Sequence, residues 1–335
     1  MTHMSKDALE SRYINLVSPK LGAEVTYATD DFFAAKERVI DDKDPVFIED
    51  KYDDHGKWMD GWESRRKRTE GHDHCIIKMG TSGIIRAVNI DTSFFTGNYP
   101  PGASVEACLS DDEPDAETIW TTLVARTDLG PDAAHILPVE DDRPYNWLRL
   151  NIFPDGGVAR LRVYGDAYCN WQAGGADTLY ELSAVKNGGR IVAYNDAHYG
   201  AVWSLLCPGR GKNMGDGWET RRRREPGNDW IIIALGRAGV IEKIELDTAH
   251  FKGNYPDGFS LQAAMVDDID DATIAAQAET WAEILPRSKL GPDSEHVAGE
   301  AAVLKAFGPV SHIRLNIYPD GGVSRFRVWG KLAGS

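Results

Sequence analysis

Gly61-Trp62-Glu63-Ser64-Arg65-Arg66-Lys67-Arg68 recurs 156 residues later as Gly217-Trp218-Glu219-Thr220-Arg221-Arg222-Arg223-Arg224. The offset holds without a gap through Gly80 and Gly236, through Asp91-Thr92 and Asp247-Thr248, and into Gly97-Asn98-Tyr99-Pro100 against Gly253-Asn254-Tyr255-Pro256. Solenoid and propeller units repeat every 20–50 residues or so, so a period this long makes each copy a whole domain. The chain therefore reads as a duplication: one domain over 14–168, a second over 177–331, and a loosely ordered lead-in at 1–13. The junction is expected between Gly165 and Asp177, where Gly174-Gly175 breaks the pattern.

Within each copy the apolar runs are short and end at turn residues. Cys75–Met79, Ile84–Ile90 and Ser104–Leu109 are strand-like, and so are Leu148–Phe153 and Ala159–Tyr164. The last two alternate at period 2 around Pro154-Asp155-Gly156-Gly157, which predicts a β-hairpin; Pro319-Asp320-Gly321-Gly322 repeats the arrangement. Ala272–Leu285 predicts a short helix in an insertion near Asp270–Gln277, and Ala116–Trp120 a helical turn. Asp41–Lys57 reads as a surface loop anchored by Phe47-Ile48. Many short strands with few helices make the fold class all-β, a sandwich or jelly roll in each half.

The 335 residues carry a formal charge of −15, with a pI near 5.0 and 42% hydrophobic residues. That balance excludes nucleic acid and anionic membranes as partners, while a local arginine cluster still permits a small anionic ligand. Cys75, Cys108, Cys169 and Cys207 have no metal or redox spacing, and Ile231 and Ala264 replace the first two in the second copy. They read as free thiols in a reducing compartment. With neither a signal-type apolar segment nor a membrane-length run, the expectation is a cytoplasmic protein.

Taken together, the G-W-E-[ST]-R-R-[KR]-R element, the D-T-x-x-F…G-N-Y-P element and the closing N-[IY]-x-P-D-G-G-V element resemble the allantoicase (allantoate amidinohydrolase) family, in both halves and from about Ile14 to Gly330. The resemblance implies tandem jelly rolls similar to galactose-binding folds. It also implies hydrolysis of allantoate to ureidoglycolate and urea in purine breakdown, and self-association into a homo-oligomer. The copies differ at His74 against Trp230, Phe94 against His250, and His72 against Asn228. A non-catalytic jelly-roll module binding a sugar or small acid is the alternative, since fold alone does not fix function.

Allantoate has one carboxylate and two ureido groups on one carbon. Guanidinium forks match a carboxylate's two oxygens, which makes Arg65, Arg66, Arg221 and Arg222 candidate substrate ligands; pairing with neighbouring acids is the competing reading. Asn98 and Asn254 are candidates for the ureido groups, or simply turn residues. Expelling urea needs a proton donor and a base. Glu63 and Glu219, each beside a Trp, are candidates because burial raises a carboxyl pKa, and His250 is a third as an asymmetric histidine. His135 and His296 read as loop holders, Asp91 and Asp247 as turn caps. His72-Asp73-His74 is a tight cluster, but Asn228-Asp229-Trp230 replaces it in the second copy and no zinc spacing exists. No metal or other cofactor is expected.

Overall fold

The computed structural model describes residues 5–175, 177–266, 269–299 and 301–334, without the side chains of 301–303. Two compact units result, Met1–Tyr168 and Cys169–Ser335.

In the first unit everything pairs around one 19-residue strand, Asp73–Asp91. Its first part, residues 73–78, lies between Glu24–Ala28 and Pro144–Phe153, and the layer continues through Gly102–Cys108 to Thr121–Asp128. Its last part lies between Arg160–Ala167 and Ala134–Pro138, with Ile14–Asn15 outermost. A single strand thus leaves one layer and enters the other, as strands do at the corners of packed sheets. The bend falls between Gly80 and Gly83. A Cβ on Gly80 would stand 2.4 Å from Leu21 Cβ, so the backbone there leaves no room for a side chain. The inward faces of both layers meet in a core that includes Ile77, Ile85, Val88, Leu148, Leu150, Leu161 and Val163, all fully buried.

The second unit repeats the plan. Asp229–Asp247 is flanked at its start by Arg190–Tyr194 and Pro309–Tyr318, and at its end by Arg325–Leu332 and Glu295–Ala298. Gly258–Ala264 and Ala282–Lys289 complete the first layer. All these pairings are antiparallel. The expected all-β duplicated jelly-roll sandwich is the observed architecture.

Several local expectations are corrected. Cys75–Met79 and Ile84–Ile90 are parts of one strand, because Gly80 bends the chain without ending it. The predicted hairpin does not form: Pro144–Phe153 and Arg160–Ala167 pair on either side of Asp73–Asp91 and never with each other. Alternation identifies a strand with one buried face but not its partner, and here neighbours in sequence belong to opposite layers. Pro154–Gly157 carries the chain between those layers, and Gly157–Val158 pairs with Trp62–Glu63. The lead-in contains a helix, Lys6–Arg12, capped by Ser5 and anchored by fully buried Leu9 against Ala87 and Tyr164; Met1–Met4 lie outside the described residues. The predicted helix stops early, at Gln277 with one further turn to Thr280, because Ala282–Lys289 is an edge strand pairing Leu285 with Leu261. Residues 116–120 form only a turn, with Ile119 left exposed. Phe47 and Ile48 are 48% and 44% exposed and bury no anchor in the core. The Asp41–Lys57 stretch is instead held by buried arginines.

Gly157 and Gly322 stand where added atoms meet an aromatic ring: a Cβ would lie 2.0 Å from Phe95 Cε1 or Phe251 Cε1, both rings being fully buried. Gly157→Ala is expected to destabilise the first unit by about 1–3 kcal/mol, the usual cost of overpacking a filled core. Denaturant unfolding of G157A checks this; an unchanged midpoint would mean that Phe95 relaxes freely.

Candidate functional site

The repeated motifs converge at one end of each sandwich. Fully buried Trp62 donates from Nε1 to the Asp30 carbonyl at 2.8 Å, and Trp218 does the same to Asp196 at 2.8 Å. The Asp30 carboxylate accepts from Arg65 N at 2.8 Å and Arg65 Nε at 2.7 Å; Asp196 accepts from Arg221 N at 2.7 Å and Nε at 3.0 Å. Burial of Asp30 opposes ionisation, but these bonds and the Arg65 charge outweigh it and hold the carboxyl below its ordinary range. Asp155 Oδ2 accepts from Lys67 N, and Asp320 Oδ2 from Arg223 N, both at 2.8 Å. Ser64 and Gly156 exchange bonds, as do Thr220 and Gly321. Pro-Asp-Gly-Gly is therefore the clasp that fixes the arginine segment.

Beyond Trp62–Glu63 and Trp218–Glu219 the segment is irregular, and its cationic side chains divide by partner. Odd positions have acidic partners: Arg65 with Asp30 at 2.6 Å, Lys67 with Asp73 at 2.7 Å, Arg221 with Asp196 at 3.0 Å, Arg223 with Asp229 at 3.1 Å. Even positions do not. Arg66, Arg68, Arg222 and Arg224 are exposed and, among the described residues, form no ion pair. In the second unit all four arginines, with Asn195, Asp196 and Asp229, line an open cleft of about 240 Å³. The structure thus divides the candidates: Arg66 and Arg222 have free guanidinium groups, whereas Arg65 and Arg221 are engaged by carboxylates, with side chains still 62% and 69% exposed. Arg68 and Arg224 join the unengaged pair.

Asn98 Nδ2 donates to Glu63 Oε1 at 2.7 Å, and Asn254 Nδ2 to Glu219 Oε1. The Asn98 and Asn254 carbonyls accept from Gly157 N and Gly322 N, each at 2.7 Å. The fold therefore brings together residues that the sequence singles out separately, Glu63 with Asn98 and Glu219 with Asn254. Glu63 is only 9% exposed, and burial raises its pKa against the opposing Asn98 bond. Glu219 is half-buried.

His250 is placed differently. Its φ is +71°, its N–H donates to Asp293 Oδ1 at 2.7 Å, and Nε2 lies 2.7 Å from the Gly211 carbonyl. A carbonyl only accepts, so Nε2 carries the proton and the ring ties down the 209–211 loop. No contact joins it to Glu219. Phe94, its counterpart, has φ +68° and stacks on Phe47 with ring centroids 5.8 Å apart. His135 and His296 do hold loops, accepting at Nε2 from Gly130 N and Gly291 N at 2.8 Å. Asp91 and Asp247 cap their turns. Among the described residues, no three His, Cys, Asp or Glu side chains are arranged to hold a metal ion, and no helix is long and apolar enough to cross a membrane. None of the four cysteines is in a disulfide among the described residues.

Sequence reading missed Asp30 and Asp196 as partners of the signature, although Asp30-Asp31-Phe32-Phe33 has a weak echo in Asp196-Ala197-His198-Tyr199. It also missed Glu106, Arg149 and Asn151, whose strands pair only in the folded chain.

Two jelly rolls, each carrying unpaired guanidinium groups and a hydrogen-bonded Glu–Asn pair on its repeated motifs, define a tandem β-sandwich protein. The allantoicase-repeat family model matches residues 14–168 and 180–333, and the chain belongs to the allantoicase family. It is 54% identical over 327 residues to a protein of Burkholderia pseudomallei named probable allantoicase 2, covering 97% of each chain. It is 55% identical over 322 residues to a probable allantoicase of Ralstonia nicotianae, covering 96% of this chain and 95% of that one. The crystal structure of allantoicase from Saccharomyces cerevisiae superposes with a TM-score of 0.78 at 36% identity, over 97% of this chain and 96% of that one.

Proposed function

We propose that this protein hydrolyses allantoate to ureidoglycolate and urea in allantoin and purine degradation. Full-length similarity to proteins named allantoicase supports the reading, and the observation that carries it is the unpaired state of Arg66, Arg68, Arg222 and Arg224. Exposed arginines without acidic partners, fixed on a clasped segment, suit a ligand with a carboxylate. In this reading Arg66 in the first unit or Arg222 in the second holds the substrate carboxylate, while Arg65 and Arg221, engaged by Asp30 and Asp196, position the segment. Asn98 and Asn254 give their amide N–H to Glu63 and Glu219 and keep Oδ1 as an acceptor for ureido N–H groups. Glu63, its pKa raised by burial, is the donor to the leaving ureido nitrogen; Glu219 is its counterpart, and His250 fixes the 209–211 loop. Free cysteines fit a reducing cytoplasm, the charge of −15 disfavours nucleic acid, and a homo-oligomer is the expected assembly.

Urea release from allantoate by the purified protein, with and without EDTA, tests the activity. Release in both conditions is expected. No release from folded protein would return the non-catalytic binding module to first place.

Glu63→Gln separates acid from structure. A carboxyl whose folded pKa lies above its unfolded value, about 4.3, stabilises the fold relatively below that value. The advantage is lost as pH rises towards the folded pKa. E63Q is therefore expected to be at least as stable as the parent at pH 8, to lack this loss of stability above about pH 4.3, and to turn over about a hundredfold slower or worse. Undiminished turnover in E63Q would remove Glu63 from the reaction.

A further inference from the structure

The face of the first unit's layer that points away from the core carries a connected polar set centred on Asn151 of the closing repeated element, its other members lying outside the motifs. His72 Nε2 lies 3.1 Å from Asn151 Oδ1. Asn151, only 4% exposed, donates from Nδ2 to Ser104 Oγ at 3.1 Å and to Glu106 Oε2 at 2.8 Å. Arg149 donates to the same Glu106 oxygen from Nε at 2.8 Å, with its NH2 at 2.7 Å. His74 stands beside His72 with ring centroids 6.2 Å apart, and against Tyr27 at 5.6 Å. It is half-buried, and among the described residues its ring makes no recorded hydrogen bond.

The second unit builds the same face with amides and an indole in place of the two histidines and the carboxylate. Asn228 Nδ2 donates to Asn316 Oδ1 at 3.3 Å, and Asn316 Nδ2 to Gln262 Oε1 at 3.0 Å. Trp230 takes the place of His74 and lies over Arg314, 4.9 Å from ring centroid to guanidinium carbon. The scaffold of asparagine and arginine is kept, while His72, His74 and Glu106 become Asn228, Trp230 and Gln262. A face kept only for packing has no reason to hold two histidines and a carboxylate in one copy alone.

We propose that this face of the first unit is the base side of the hydrolysis, with His74 accepting the proton of the attacking water, and that the matching face of the second unit is catalytically silent. The proposal rests on the allantoate reading above. Burial, with the charge of Arg149 and the neighbouring His72, holds the His74 pKa below the ordinary imidazole value, while Asp73 and Glu106 pull the other way. The ring is thus neutral at pH 7 and free to accept. As the water oxygen bonds to the substrate's central carbon, its proton passes to His74. The C–N bond breaks with its electron pair on the ureido nitrogen, which takes the Glu63 proton. The His74 proton then returns to Glu63 through solvent, leaving ureidoglycolate, urea and the enzyme in its starting state. His72 and Glu106, linked through Asn151, position the face.

His74→Asn and His74→Trp test this. H74W places in the first unit the residue that the second already accommodates over its arginine, so it is expected to fold. Both variants should lose about a hundredfold or more in kcat, keep Tm within a few degrees, and lose the acidic limb of the kcat/KM profile. In the parent, that limb should have its midpoint below about 6.5. N-carbamoylglycine, with one carboxylate and one ureido group but no second ureido to expel, should shift the His74 imidazole NMR signals. Parent-like kcat and pH profile in folded H74N, with urea still released by the parent, would overturn this proposal and leave the allantoate reading standing. A folded parent that releases no urea would overturn both.

Discussion

Arg66→Ala combined with Arg222→Ala is expected to lower kcat/KM for allantoate by about a hundredfold or more while leaving stability within about 0.5 kcal/mol of the parent. The effect follows from how the cationic side chains of the signature segment are paired. Its odd side chains are committed to Asp30, Asp73, Asp196 and Asp229, its even ones to nothing in the described fold. An exposed arginine without a partner contributes little to folding. A charge-assisted bond to a substrate carboxylate is worth about 1.5–3 kcal/mol, or about 10- to 150-fold per guanidinium at 1.4 kcal/mol per decade. Single variants identify which repeat holds the substrate, because the loss falls on one of them. Arg65→Ala should behave oppositely, uncovering Asp30, whose side chain is 14% exposed, and lowering stability by about 1–3 kcal/mol. Equal kcat/KM in the folded double variant would dismiss the clamp.

The largest stability effect is expected at Arg160. Its side chain is 1% exposed and grips the chain ahead of the signature: Nε donates to the Lys43 carbonyl at 2.8 Å, NH1 to the carbonyls of Asp60 at 3.0 Å and Ala159 at 2.7 Å, NH2 to Asp60 Oδ2 at 2.8 Å. Arg162 adds bonds from NH2 to the carbonyls of Asp42 and Lys43, both at 3.0 Å. Removing one partner of a buried ion pair strands the other, at about 3–5 kcal/mol. For a unit of this size that is roughly 2–4 °C per kcal/mol, so Arg160→Ala should lower the first unit's transition in calorimetry by about 6–20 °C. Arg160→Lys should recover only part, since an ammonium lacks the planar fork that reaches four acceptors. Arg325, bonded to the Asp216 carbonyl at 2.7 Å and to Asp216 Oδ2 at 3.0 Å, predicts a matching loss in the second unit. A calorimetric trace of R160A that overlays the parent would show that the 41–60 stretch holds itself in place.

The duplication, the all-β class and the strand segments were legible in the sequence because each rests on local pattern: a fixed offset, period-2 alternation and turn residues at set places. Glu63 with Asn98, and Glu219 with Asn254, could be singled out because both copies retain them. Their contact could not be read, since each pair is separated by a strand that travels through both layers. The failed hairpin at Pro154–Gly157 has the same cause. Alternation records which face of a strand is buried, and the choice of partner is made by packing between layers. Which arginines are free was likewise undecided at Arg65-Arg66-Lys67-Arg68: four cations in a row look alike until Asp30 and Asp73 arrive from other strands to engage alternate ones. Glu106 and Arg149 bear no motif, and Glu106 meets Arg149 and Asn151 of the closing element only because their strands are neighbours in one layer. The sequence by itself determined the repeat, the fold class and the family, because those are carried by residues close together along the chain. The tertiary structure decided which charges are paired and which remain free, because an ion pair depends on distance in space, and the sheet pairing sets that distance.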